Sequence, residues 1–196
     1  MAPVLDLEGY EGSVSPEEVA FLSTMASAVT QGCIVEIGSW RGKSAIALAA
    51  GAADIPEARR PLVHCVDPHR SFTGVYGGRF GPHDRAEFYR AMLRSGFAGA
   101  VALINLPSVD ASRAFRQEVG LLFIDGDHTE AGVRADVEAW LPHLLPGGVA
   151  LFDDAVDPQI GPFKVIEHLT QAGGWQVLAR AGKIVALQRR SRSASA

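Results

Sequence analysis

The sequence has 196 residues, of which 47% are hydrophobic and 20% charged, a composition typical of one soluble globular domain. The formal net charge of −4 gives no sign of a basic face, so nucleic acid is not an expected partner. No signal-peptide pattern is visible, and no apolar run approaches the ~20 residues that cross a bilayer. We therefore expect a cytoplasmic protein that does not bind membranes.

The first predicted element is a helix over about residues 16–31. Ser15 suits the N-cap position, Pro16 the first turn, and Glu18 the third helical position of a capping box. Apolar runs then alternate with helical segments along the chain. The predicted strands are 33–37, 62–66, 101–106, 120–124 and 149–152, and the predicted helices are 43–53, 84–95, 108–116 and 130–144.

The order of these elements predicts the fold class. Several of the strands are apolar at nearly every position, as is typical of parallel strands covered on both faces. Residues 175–179 and 183–188 flank Ala181-Gly182 and predict a closing hairpin. We expect an α/β, Rossmann-like, doubly wound and mostly parallel seven-stranded sheet with a C-terminal antiparallel hairpin. Residues 1–190 are predicted to form one domain, and 191–196 a disordered tail.

The turn after the first strand, residues 36–42, is rich in glycine and leads directly into a helix. Glycines at such a turn allow the backbone to approach a ligand closely. The dinucleotide motif G-x-G-x-x-G is excluded because Trp40 stands at its middle glycine, and a P-loop needs one more residue between Gly38 and Gly42. Acidic-x-Gly-x-x-x-Gly matches in full, from Glu36 to Gly42.

Acidic side chains follow three of the predicted strands. Asp67 ends the second strand, where a carboxylate can accept hydrogen bonds from both hydroxyls of a ribose. Asp125 follows the fourth strand, and Asp153 and Asp154 follow the fifth. Adjacent strands lie ~4.8 Å apart, so these three carboxylates would converge and repel one another unless a cation such as Mg²⁺ offset them. Capping of the following loops is the structural alternative for each of these acids.

The glycine turn and the sequence Asp125-Gly126-Asp127-His128 resemble class I S-adenosylmethionine-dependent methyltransferases over roughly residues 15–155. The resemblance is to the branch that contains the macrocin and mycinamicin sugar O-methyltransferases and, more distantly, catechol O-methyltransferase. It implies Mg²⁺ ligands at Asp125, Asp153 and Asp154, and a general base at His128. An unperturbed histidine pKa of ~6.5 would suit that role near neutral pH.

The resemblance also implies the cofactor site. S-adenosylmethionine would be bound by Glu36, Gly38, Ser39, Gly42, Asp67, Ser108 and Asp125. The expected reaction is methyl transfer to a hydroxyl of a small molecule such as a sugar, a phenol or a natural product. The long stretch from 68 to 83, rich in glycine and aromatic residues, is predicted to be a loop that acts as a lid, the alternative being a plain connection with an aromatic side chain packed into the core.

Two other functions stay open at the level of sequence. Gly42-Lys43-Ser44 imitates the end of a P-loop, so a nucleotide-hydrolysing enzyme with Asp153 and Asp154 as metal ligands is one alternative. A cofactor-binding protein of the same fold that transfers no methyl group is the other, since fold does not fix function. The sequence identifies neither the methyl acceptor nor whether the chain forms a homo-oligomer.

Overall fold

A computed structural model describes residues 5–189. In chain order, the strands are β1 (Cys33–Ile37), β2 (Val63–Val66), β3 (Phe72–Thr73), β4 (Arg79–Phe80), β5 (Val101–Ile104), β6 (Val119–Ile124), β7 (Leu144–Phe152), β8 (Trp175–Ala181) and β9 (Ile184–Arg189). The helices are α1 (Pro16–Ser27), α2 (Lys43–Ala53), α3 (Pro82–Ser95), α4 (Ser108–Ala114), α5 (Glu130–Trp140) and α6 (Gly161–Gln171).

The main sheet has seven strands in the order β5-β2-β1-β6-β7-β9-β8. All neighbours are parallel except β9, which pairs antiparallel with both β7 and β8. This confirms the predicted fold class, a Rossmann-like sheet closed by an antiparallel hairpin. None of the helices among residues 5–189 is long and apolar enough to cross a bilayer.

The sheet is covered on both faces, as the continuous apolar strands require. One core contains α1, α2 and α3 packed on side chains such as Ile34, Leu121 and Leu151. The other contains α5 and α6 packed on the alternate residues, among them Leu122 and Phe152. Side chains of successive strand residues point to opposite faces, which is why one strand supplies both cores.

Several predicted boundaries differ from the structure. Helix α1 ends at Ser27 and not at 31, where β-branched Val29 and Thr30 disfavour its continuation. Helix α5 stops at Trp140, four residues before the predicted end, and a short 3₁₀ turn leads into a longer β7. The tail that was predicted to be disordered, 191–196, lies outside the described residues.

Helix α6 and the short strands β3 and β4 were not predicted. Helix α6 begins at Gly161 without a side-chain cap, although Pro162 in its first turn and Val165, Ile166 and Leu169 at helical spacing were visible signals. Strands β3 and β4 form a small antiparallel hairpin inside the predicted lid loop. Because each has only two residues, neither showed a period in the sequence.

Candidate active site

The site is built on one row of residues at the carboxyl end of the sheet. The register aligns Ile37 with Val66 and Ile124, and Ile124 with Phe152. The next residues are therefore level with one another across four adjacent strands: Asp67, Gly38, Asp125 and Asp153. Their backbone N–H groups continue the sheet hydrogen bonding by one residue, at 2.8–3.2 Å from the neighbouring carbonyls. A ligand over Gly38 would thus lie between the acid of β2 and the acids of β6 and β7.

Gly38 is required at the centre of this row. Its φ is +82°, and a Cβ there would lie 2.1 Å from the Asp125 carbonyl oxygen. Trp40 also has a positive φ, and Gly42, at φ +88°, precedes the first residue of α2. This sharp turn begins α2 at the carboxyl edge of the sheet, where open α/β sheets commonly bind their ligands.

Glu36 is fully buried beneath the turn. It accepts a hydrogen bond from the Cys65 thiol at 3.1 Å, while its Oε1 has no partner. Burial raises the pKa of Glu36 to about 7, against the opposing hydrogen bonds of Ser44 and Cys65. Ser39 Oγ and Trp40 Nε1 are likewise buried without partners. Buried polar atoms are normally satisfied, so this group fits a polar ligand such as the predicted S-adenosylmethionine.

Asp67 is partly exposed and supports the glycine turn directly. Its Oδ2 accepts hydrogen bonds from the N–H groups of Ser39 and Trp40 at 3.1 and 2.9 Å, and its Oδ1 from His69 N–H at 2.7 Å. A carboxylate has about four acceptor positions, so lone pairs remain for ribose hydroxyls. The residue therefore shapes the loop and leaves the predicted ribose contact open.

Ser108 is placed differently from the other predicted cofactor residues. It begins α4, and its hydroxyl accepts a hydrogen bond from Trp140 Nε1 at 2.8 Å. It also hydrogen-bonds Asp136, although burial raises the pKa of that carboxyl to about 6. Both contacts join α4 to α5. The predicted adenine contact of Ser108 stays a prediction.

His128 connects the acids of β6 and β7. Its Nε2 lies 3.2 Å from Asp125 Oδ1, and its Nδ1 lies 3.0 Å from Asp154 Oδ2. Burial alone would lower the pKa of His128, but the hydrogen bonds and charges of the two carboxylates outweigh it and raise the pKa to about 10. The two carboxylates therefore raise the pKa of His128 above the unperturbed value assumed from sequence.

Asp153 and Asp154 share a partner that sequence reasoning missed, the ammonium group of Lys183. Its Nζ lies 2.6 Å from Asp153 Oδ2 and 2.9 Å from Asp154 Oδ1. Burial and the charge of Asp125 raise the pKa of Asp153 to about 8 despite Lys183. The register that aligns Phe152 with Val185 sets Lys183 opposite Asp154, so knowing the antiparallel pairing of β9 was the missing signal.

The donor set of this cluster fits a divalent ion. Asp125, His128 and Asp153 each offer one ligand atom, and these atoms lie within 4.8 Å of one another. Oδ1 of Asp153 is buried without a hydrogen-bond partner. Carboxylate oxygens suit Mg²⁺, whose coordination water and substrate can complete. This group includes the predicted base His128 and does not include the predicted ligand Asp154, which lies beside it and contacts His128. The ligand role of Asp154 stays a prediction.

The β3–β4 hairpin extends over the carboxyl edge of the sheet. Phe80 packs edge-on against Trp40 of the glycine turn, with ring centroids 5.7 Å apart. At the other end, the Tyr76 hydroxyl donates a hydrogen bond to Asp157 Oδ2 at 3.2 Å, beyond the end of β7. The hairpin therefore connects the glycine turn with the loop after β7, and its role as a lid stays a prediction.

Residues 35–155 match the sequence profile of a family described as "Methyltransferase domain". That match spans more than half of the chain and includes every predicted site residue. The chain belongs to this family. The match confirms the resemblance to S-adenosylmethionine-dependent methyltransferases and disfavours the P-loop interpretation of Gly42-Lys43-Ser44.

Solved structures share the fold of this methyltransferase domain. Cofactor-bound Rv0187 from MTB is 18% identical, with a TM-score of 0.71 over 92% of this chain and 83% of that one. An O-methyltransferase from Bacillus cereus in complex with SAH is also 18% identical, with a TM-score of 0.67 over 91% of this chain and 83% of the other. Identities this low support the fold alone.

A curated protein also resembles the domain in sequence. The uncharacterized protein y4gI of Sinorhizobium fredii is 32% identical over 120 residues, which is 60% of this chain. The same region is 11% of the curated protein, so the chain matches only a small part of that relative.

Proposed function

We propose that this domain transfers a methyl group from S-adenosylmethionine to a hydroxyl oxygen of a small molecule, with Mg²⁺ held by Asp125, Asp153 and Asp154. The single observation that carries the proposal is the row of residues at the sheet edge. It places the glycine turn directly beside a carboxylate and histidine cluster, so a cofactor and an acceptor bound there would be neighbours. Alignment of the two reactants accounts for much of the rate of such transfers.

The cofactor is expected to lie across Gly38, with its polar groups facing Glu36, Ser39 and Asp67. The unpartnered Glu36 Oε1 and Ser39 Oγ support this assignment, because a ligand would satisfy them. S-adenosylmethionine supplies a methyl group on a positively charged sulfur, which the acceptor oxygen attacks in line with the departing sulfur. The protein's part is to hold the two groups in that geometry and to exclude water.

His128 is the proposed general base, and its protonation depends on the acids around it. In the ion-free protein both ring nitrogens contact carboxylates, and a protonated ring cannot accept a proton. A cation held by Asp125 and Asp154 would leave these carboxylates less able to stabilise the imidazolium, which would lower the pKa of His128 toward its ordinary value. A divalent ion would also acidify the acceptor hydroxyl by acting as a Lewis acid.

The test measures cofactor binding and methyl transfer separately. S-adenosylmethionine affinity is determined by calorimetry, and S-adenosylhomocysteine formation is followed with a panel of phenols, catechols and sugar nucleotides, with Mg²⁺ or with a chelator. We expect His128→Ala to reduce kcat by about 10²–10⁴-fold, the usual contribution of a general base, with cofactor affinity unchanged. His168→Ala, an exposed histidine on α6, serves as the control and should behave as wild type.

Each result has a defined meaning. Full activity of His128→Ala and of Asp125→Ala in the presence of chelator would reject the proposed base and ion. Binding of S-adenosylmethionine without turnover of any acceptor would favour the non-methylating alternative. Absence of any affinity for S-adenosylmethionine or its demethylated product would reject the whole assignment.

A further inference from the structure

Lys183 places a positive charge inside the acid cluster of the site. Its ammonium contacts one oxygen of Asp153 and one of Asp154, at 2.6 and 2.9 Å. Asp153 is fully buried, and the Lys183 side chain is only 23% exposed, so this contact is not a surface ion pair screened by solvent. An ion pair in such a place has a strong effect on its neighbours.

The backbone of Lys183 is fixed on both sides. Its N–H donates to Glu18 Oε1 at 2.8 Å, and its carbonyl accepts from Ala155 N–H at 2.9 Å. Glu18 is itself held in the capping box of α1, where its Oε2 accepts from Ser15 N–H at 2.7 Å. The turn that carries Lys183 is thus anchored to α1 and to the loop after β7, and the ammonium reaches the acids from a defined position.

We infer that Lys183 is a positioning residue that acts as the built-in counter-ion of the Asp153–Asp154 pair and competes with the divalent ion for it. This inference rests on the proposed function, which makes both carboxylates ligands of that ion. Lys183 occupies one oxygen of each carboxylate and leaves Asp153 Oδ1 without a partner. A divalent ion that binds there approaches a fixed like charge, and it must share the carboxylates with Lys183 or displace it.

This arrangement has two consequences of opposite sign. In the ion-free protein, Lys183 offsets the repulsion among three carboxylates and stabilises the fold. Lys183 also lowers the affinity of the site for Mg²⁺ or Mn²⁺, because its ammonium already neutralises part of the negative charge of the acids. Removing the ammonium should therefore destabilise the ion-free protein and tighten ion binding together, whereas a purely structural lysine would produce the first effect alone.

The experiment compares Lys183→Gln with wild type in two measurements made without S-adenosylmethionine. Calorimetric titration with MnCl₂ and with MgCl₂ should show affinity raised on the order of tenfold or more, since a unit charge this close to a divalent ion interacts strongly. Thermal unfolding should show a lower Tm than wild type with chelator and a larger rise in Tm on adding Mn²⁺. Lys164→Gln removes an exposed lysine on α6 and is the matched control for net charge.

Unchanged or weaker ion affinity in Lys183→Gln would overturn the inference, as would absence of binding in both proteins, because removal of the competitor should reveal the site. Lys183→Met keeps an unbranched stem and provides a second variant if the glutamine is poorly tolerated. Failure of both variants to fold even in millimolar Mn²⁺ would also count against it, since the ion should replace the lost charge. Methyl transfer is assayed separately, so loss of the proposed activity and loss of this competition are distinguished.

Discussion

Glu36 is a carboxyl group with no exposed surface, one residue before the end of β1. The motif that contains Glu36 could be recognised in the sequence, because the acid and the glycines lie at fixed spacing in a strand-to-helix turn. The acids Asp67, Asp125 and Asp153 were also predictable, because each of them directly follows an apolar run. The role of Lys183 could not be predicted from the sequence. It lies in the β8–β9 hairpin, 30 residues after Asp153, and only the antiparallel pairing of β9 with β7 brings it to the site.

The buried Glu36 makes stability depend on pH. Its folded-state pKa of about 7 lies above the ordinary glutamate pKa of 4.5, so the native state holds the proton more tightly than the unfolded chain. Its contribution is therefore most favourable below pH 4.5 and is lost as pH rises through 7, by roughly 3 kcal/mol. Glutamine does not titrate, so Glu36→Gln should not show this loss. The free energy of unfolding of the variant should therefore rise relative to that of wild type by roughly 3 kcal/mol between pH 4 and 8.

Urea unfolding of both proteins across that pH range measures the difference. Glu57→Gln, an exposed acid in the loop before β2, is the control and should run parallel to wild type. A Glu36→Gln curve that is also parallel to wild type would contradict a raised pKa at this position.

At the scale of elements, most helices and strands were predicted, including the closing β8–β9 hairpin, whereas α6 and the two-residue strands β3 and β4 were not. Helix α2 has the predicted bounds because it follows a glycine turn and is almost wholly buried. The β3–β4 hairpin was not predicted because its order depends on contacts with other elements, such as Phe80 on Trp40, and not on local pattern. Tertiary contacts of this kind override weak local preferences. Helix α6 was missed although Pro162 and the helical spacing of its apolar residues were visible in the sequence.

The glycine turn gives a prediction at this scale. Gly38→Ala should lower the free energy of unfolding by several kcal/mol or shift the turn, because the new Cβ meets a backbone oxygen at 2.1 Å and φ is positive. Affinity for S-adenosylmethionine should fall with it.

Gly77→Ala is the matched control, since Gly77 has almost the same φ of +81° but nothing within 4 Å of a Cβ. Gly77→Ala should lower the free energy of unfolding by only about 1–2 kcal/mol, the cost of a positive φ for a residue with a Cβ. Equal Tm losses in the two variants, measured by scanning calorimetry, would show that the close approach at Gly38 is unimportant.

At the scale of the whole molecule, the sequence predicted the fold class but not the order of the strands in the sheet. Apolar runs show which strands are buried, but they do not show which strands pair with each other. The covering of both faces was predictable, since strands such as β6 lack alternation. Neighbouring residues Leu121 and Leu122 are both almost completely buried, yet they belong to different cores.

A two-sided sheet therefore predicts that Leu121→Ala and Leu122→Ala are similarly destabilising. Each should cost about 2–5 kcal/mol, the usual range for a buried leucine truncated to alanine. Denaturant unfolding of the two variants tests this directly. A near-neutral effect of either substitution would mean that one face of β6 is open to solvent.

The level row formed by Asp67, Gly38, Asp125 and Asp153 ties chemistry to the length of each strand. Inserting or deleting one residue within β1, β2, β6 or β7 would displace its functional residue by ~3.3 Å and turn that side chain to the opposite face. Length variation among relatives should accordingly collect in loops and helices, while the spacing from strand to acid is held constant.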